Sequence, residues 1–187
     1  APLKIVEEKA NKYLCMLDEE PYDYAFAERI FPAASGKMIE FSFRAPHLPQ
    51  GTSVEVEVQD QRGNRALRLR IDNEWLSFDI DQVSLDPVPI DPKIWHRVSL
   101  KIDCEKRIYQ ALVDGKTAKK EIQLASDLQT VERIVFRTGS YRGYVPAEVV
   151  EHGIGKQSGF FSEDLPAADF KAALIEFHLD DVRTAGK

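Results

Sequence analysis

The sequence predicts an all-β fold in which two antiparallel sheets stack as a sandwich, and three observations carry that prediction. Short runs in which apolar and polar residues alternate recur along the chain, at least ten of them. Clusters of Gly, Pro, Asn and Asp separate the runs, and no stretch repeats its apolar residues with helical spacing. With 187 residues, 43% hydrophobic and 10% aromatic, the chain has enough apolar side chain for a sizeable core. It reads as a single domain over residues 1–187.

Leu3 to Glu8 and Lys12 to Leu17 read as two strands around an Ala10-Asn11 turn, with Tyr13, Cys15 and Leu17 on one face and Leu14 and Met16 on the other. Ala25 to Phe31 alternates in the same way until Pro32 to Gly36 breaks it. Lys37 to Ala45 places Ile39, Phe41 and Phe43 opposite Met38, Glu40, Ser42 and Arg44, a strand with one apolar and one polar side. Val54 to Val58 and Ala66 to Ile71 form a hairpin around the Gln61–Asn64 turn, with Glu55 and Glu57 facing Arg68 and Arg70 across a solvated face. Trp75 to Ile80 follows the Asp72-Asn73 turn, and a Pro-rich connection from Asp86 to Pro92 leads onward.

The stretch from Ile94 to Lys116 holds the clearest pattern. Val98, Leu100 and Ile102 alternate with charged and polar residues, a short charged turn follows, and Tyr109, Ala111 and Val113 alternate again up to Asp114-Gly115. That dipeptide supplies the positive φ of a tight hairpin turn. Thr117 to Ile122 is the next strand, Val131 to Arg137 another, and Leu174 to Thr184 closes the chain. Between the last two, residues 138–170 form one long loop insertion, rich in glycine and aromatic residues. Irregular segments of that length in compact domains are commonly functional or disordered.

Trp95-His96, the alternating strand, the charged turn, the second strand and Asp114-Gly115 together resemble the central hairpin of laminin-G-like, concanavalin A-like jelly rolls. The resemblance implies a two-sheet jelly roll and a place among carbohydrate-binding modules, secreted, periplasmic or on a cell surface, with an oligo- or polysaccharide as partner and adjacent domains in a longer polypeptide. Leu179-Asp180-Asp181-Val182-Arg183 resembles the closing strand of calcium-binding jelly rolls of the laminarinase type. That likeness implies that Asp180 helps to hold one structural calcium ion.

Charge and composition narrow the function classes. A formal net charge of −6 argues against nucleic acid as partner, since a phosphate backbone needs a clustered basic face. No apolar run is long enough to span a bilayer. The chain begins Ala1-Pro2, so it reads as processed or as part of a longer protein. Cys15 and Cys104 suit either one disulfide or two buried thiols.

The jelly-roll hydrolases of the laminarinase kind carry Glu-x-Asp-x-Glu on one strand, so that three carboxylates share a face. Here Glu55, Glu57 and Asp60 break that spacing, and Asp79 and Asp81 have no third partner. Both segments read as solvated strand faces. The Arg, Gln-x-His and Tyr set of alginate lyases is also missing. The sequence therefore leans away from an enzyme, with a hydrolase or lyase of unrecognised site as the alternative and a structural or adhesion domain as a second. For sugar recognition, aromatic rings stack on the apolar face of a pyranose and planar donors read its hydroxyls. Arg137, Tyr141, Arg142 and Tyr144 lie together in such a segment, its arginines also suited to a sugar carboxylate, and Trp75 is a further stacking candidate.

Overall fold

The computed structural model describes residues 2–20, 24–80, 83–139 and 172–186, and among them every regular element is a strand. They run β1 (Leu3–Glu8), β2 (Asn11–Asp18), β3 (Phe26–Ala34), β4 (Gly36–His47), β5 (Val54–Gln59), β6 (Arg65–Ile71), β7 (Trp75–Ile80), β8 (Val83–Pro89), β9 (His96–Asp103), β10 (Ile108–Val113), β11 (Lys116–Gln123), β12 (Val131–Thr138) and β13 (Ile175–Gly186). A seven-stranded sheet has the order β1-β2-β13-β4-β9-β10-β11, and a six-stranded sheet the order β3-β12-β5-β6-β7-β8. Every pairing is antiparallel. The fold is the two-sheet sandwich that the alternation implies, consistent with the jelly roll that the resemblance implies.

Alternation sets the core. Ile39, Phe41, Phe43, Val98, Leu100 and Ile102 of the larger sheet meet Val54, Val56, Leu67, Leu69, Leu76, Phe78 and Phe136 of the smaller, all buried. The rings of Phe41 and Phe136 cross edge to face at 5.2 Å between centroids and so join the two sheets. Each such side chain contributes about 1.5–3 kcal/mol relative to exposure. A polar tie also crosses the layers: the buried Thr138 hydroxyl donates to Asp18 Oδ2 at 2.6 Å and accepts from the Ala25 amide at 2.8 Å. Asp114 and Gly115 both take positive φ, 52° and 74°, as the hairpin between β10 and β11 requires.

The structure departs from the sequence reading at several elements. β3 continues through Pro32 to Ala34, and only Ser35 separates it from β4. The Pro-rich connection is itself partly strand, since β8 includes Pro87 and Pro89. Both β3 and β8 are sheet edges, where a missing amide hydrogen leaves no ladder bond unmade. Of the two alternatives open for Cys15 and Cys104, the structure has the buried free thiols. Trp95, which the jelly-roll resemblance implies to be a core residue at the strand entrance, instead lies half-buried on the outside of the seven-stranded sheet, where it stacks on Arg44.

Candidate functional site

On the six-stranded sheet, Val54, Val56, Val58, Leu67, Leu69, Ile71, Leu76, Phe78, Ile134 and Phe136 point into the core. The residues between them therefore point outward, and the register aligns them across four strands. One transverse row reads Arg137, Glu55, Arg70, Ser77, and the next reads Val135, Glu57, Arg68, Asp79. Trp75 lies on the same face of β7 one step beyond Ser77. Arginines and carboxylates thus alternate across the sheet.

The expectation that Glu55, Glu57 and Asp79 lie on solvated faces fails, for they are 1%, 5% and 4% exposed. Long guanidinium arms from neighbouring strands close on the shorter carboxylates. Arg137 Nη2 donates to Glu55 and also reaches Glu57 at 3.2 Å. Arg68 Nε donates to Glu57 at 2.8 Å, and Gln59 to the same carboxylate at 2.7 Å. Arg70 Nη2 pairs with Asp79 at 3.2 Å. At the margin, Arg133 pairs with Glu28 at 3.0 Å and Arg65 with Glu57 at 3.7 Å. Burial pushes the Glu57 carboxyl upward. The Arg137 charge, the hydrogen bonds from Arg68 and Gln59 and the Arg68 charge outweigh it and carry Glu57 below the ordinary carboxylate range. The face remains underbonded: the buried Nε atoms of Arg65, Arg70 and Arg133 and the buried Oδ1 of Asp79 have no hydrogen-bond partner. With Arg70 about two-fifths exposed along its side chain and Trp75 39% exposed, the face offers one planar donor and one ring to a ligand.

A second outward cluster sits on the seven-stranded sheet, and no local pattern signals it because its members are remote in the chain. Arg44 on β4 lies over the rings of Tyr13 and Trp95 at 5.2 and 5.1 Å, and donates to Glu8 at 2.7 Å, Tyr13 Oη at 3.1 Å and His178 Nδ1 at 2.9 Å. An arginine only donates, so His178 Nδ1 is the acceptor and Nε2–H donates to Glu176 at 2.7 Å. Burial, together with the nearby Arg44 charge, lowers the His178 pKa against the opposing pull of Glu176. Cys15, Glu176 and His178 bring ligand-type atoms within 4.8 Å of one another. Both imidazole nitrogens are already engaged and a guanidinium adjoins them, so this trio is poorly suited to a cation. Burial and the Glu176 charge raise the Cys15 pKa, which makes it a poor nucleophile.

The residues singled out from the sequence are placed as follows. Trp75 and Arg137 share the outer face of the six-stranded sheet, Trp75 exposed and Arg137 buried between two glutamates. Tyr141, Arg142 and Tyr144 lie outside the described residues. Asp180 lies at a register shift of β13, beside Asp181 with φ 51°. Its Oδ1 accepts from the Asp181 amide at 2.7 Å and its Oδ2 from the Asn11 side-chain amide at 2.9 Å. Calcium needs six or more converging oxygens. Here one carboxylate faces two N–H donors and the adjacent Asp181 pairs with Arg183, so the described surroundings of Asp180 do not fit that ion.

Comparison with known proteins gives a family match and several structural likenesses. A family model described as "Sialidase-like, CBM domain" matches residues 1–150. No curated protein sequence matches the chain. A solved sialidase superposes with a TM-score of 0.80 at 22% identity, over 99% of this chain and 16% of its own. This chain therefore spans about a sixth of the length of that sialidase. A cellulose-induced protein superposes at TM-score 0.64 and 10% identity, covering 100% of this chain and 86% of its own. An alginate lyase of polysaccharide lyase family 7 gives 0.57 and 11%, covering 97% and 81%. At these identities the structural likenesses speak for the fold.

Proposed function

The chain belongs to the sialidase-like CBM domain family, and from that premise we propose that it is a non-catalytic module that binds oligo- or polysaccharide on the outer face of the six-stranded sheet. The observation that carries the reading is the combination on one face of an exposed indole, Trp75, with an arginine fork, Arg70, on a bed of paired charges. A pyranose ring stacks on the indole while its hydroxyls or a carboxylate meet the guanidinium. The ion pairs beneath hold Arg70 and Arg68 in place before ligand arrives, so less side-chain freedom is lost on binding. Tyr141, Arg142 and Tyr144, in the segment that follows β12, belong to the same proposal.

Two features favour recognition over catalysis. Glycoside hydrolysis asks one carboxyl to keep its proton as general acid, whereas Glu57 is held below its ordinary range by its arginines. Glu55 and Asp79 are likewise engaged by guanidinium groups. The structural likeness to a sialidase many times longer supports service as one domain of a larger glycan-degrading protein, secreted or at a cell surface.

The test is titration calorimetry against a panel of neutral and acidic oligosaccharides, with product analysis in parallel. A ligand should bind, and Trp75→Ala should weaken it at least about tenfold, in line with the worth of one aromatic stacking contact. Release of reducing ends or unsaturated sugars by the isolated chain would replace the module with an enzyme. Silence across the panel would leave a structural role in its stead.

A further inference from the structure

We propose that the edge of β1, which no described strand covers, is a self-association surface, on which a second copy of this chain pairs strand to strand and extends the seven-stranded sheet across a two-fold axis.

The phase of the β1–β2 ladder shows which backbone groups no described residue uses. Leu3 stands opposite Met16, and the Leu17 amide donates to the Pro2 carbonyl at 3.1 Å. Antiparallel bonds alternate, so Lys4, Val6 and Glu8 exchange theirs with β2. The amides and carbonyls of Leu3, Ile5 and Glu7 point away from β2, toward the open side. The same alternation puts the side chains of Leu3 and Ile5 on the core-facing side, where they stay 46% and 67% exposed.

The other three edges carry guards against such pairing. β3 contains Pro32, and β8 contains Pro87 and Pro89, which cannot donate to an added strand. β11 carries Lys116, Lys119 and Lys120, and its pairing with β10 is interrupted by register shifts. β1 has neither a proline nor a break in its register over Leu3–Glu8.

The occupant that fits is β1 itself. A two-fold axis through the Ile5 position pairs Ile5 with Ile5 of the second copy and Leu3 with Glu7 of the second copy. All of the outward-pointing backbone groups then lie in hydrogen-bonded pairs, and an exposed isoleucine covers its own counterpart. The axis stands perpendicular to the sheet, so both six-stranded sheets end on the same side of the joined layer. Two saccharide-binding faces would then address one polymer together and gain avidity. A single strand pair buries less than the roughly 1,200 Å² of a stable interface, so the association is weak and concentration-dependent.

Sedimentation velocity over roughly 10 µM to 1 mM tests this in the range where weak pairs form. The wild-type chain should move from the 21.2 kDa monomer toward twice that mass. Ile5→Lys, which sets two ammonium groups against each other across the axis, should abolish the shift. Leu3→Lys should keep it, because the new ammonium meets Glu7 of the second copy. Ile30→Lys, on the exposed face of β3, should leave it unchanged. A chain monomeric throughout overturns the proposal. So does loss of association in Leu3→Lys or Ile30→Lys, which would mark a merely adhesive apolar surface. Unchanged association in Ile5→Lys overturns it as well.

Discussion

Arg137 illustrates how one residue changes role when its surroundings are known. In sequence it adjoins Tyr141 and Arg142 and reads as a ligand contact, while in the fold its guanidinium joins Glu55 and Glu57 below the surface. Arg137→Met would leave two buried carboxylates short of their shared counter-ion. Breaking a buried pair from one side costs about 3–5 kcal/mol, most of it the penalty of the uncompensated charge. We expect a loss of that order in urea unfolding. Trp75→Ala, at an exposed position, should leave the unfolding midpoint nearly unchanged. If Arg137→Met unfolds like the parent, the buried network is not holding the sheet.

At the scale of elements, the tie between β4 and β13 rests on a neutral imidazole. His178 accepts from Arg44 through Nδ1, and burial holds its pKa below that of a free histidine. In the unfolded chain the residue takes a proton near pH 6.5. As the pH falls through that value, the unfolded state binds a proton that the folded state refuses, so stability declines. The contribution is fully present above the unfolded pKa and is gone once the pH has passed below the folded one. The melting temperature should therefore fall between about pH 7.5 and 5.5. His178→Gln, whose amide oxygen accepts from Arg44 without titrating, should flatten that slope. An equally steep slope in the variant would assign the acid sensitivity elsewhere.

For the molecule as a whole, the described structure is held by a packed apolar interior, charge pairs on both outer faces and the Thr138–Asp18 tie between layers. The melting temperature should be the same with chelator as with calcium, and Asp180→Ala should lose only the bond from Asn11. A fall on chelation that calcium reverses would restore the metal reading of the closing strand. The sequence by itself determined most of the strands and hairpins and many of the core-facing residues, because side-chain alternation and turn chemistry are local properties, while β8 and the end of β3, which contain prolines, escaped it. It also pointed to Glu55 and Glu57 opposite Arg68 and Arg70. Tertiary structure alone decided that these charges are buried, that Arg137 joins them, and that Tyr13, Arg44, Trp95 and His178 meet on the other face. Pairing order among strands remote in the chain sets those neighbours, and burial is a property of what lies above a residue in space, which no local pattern encodes.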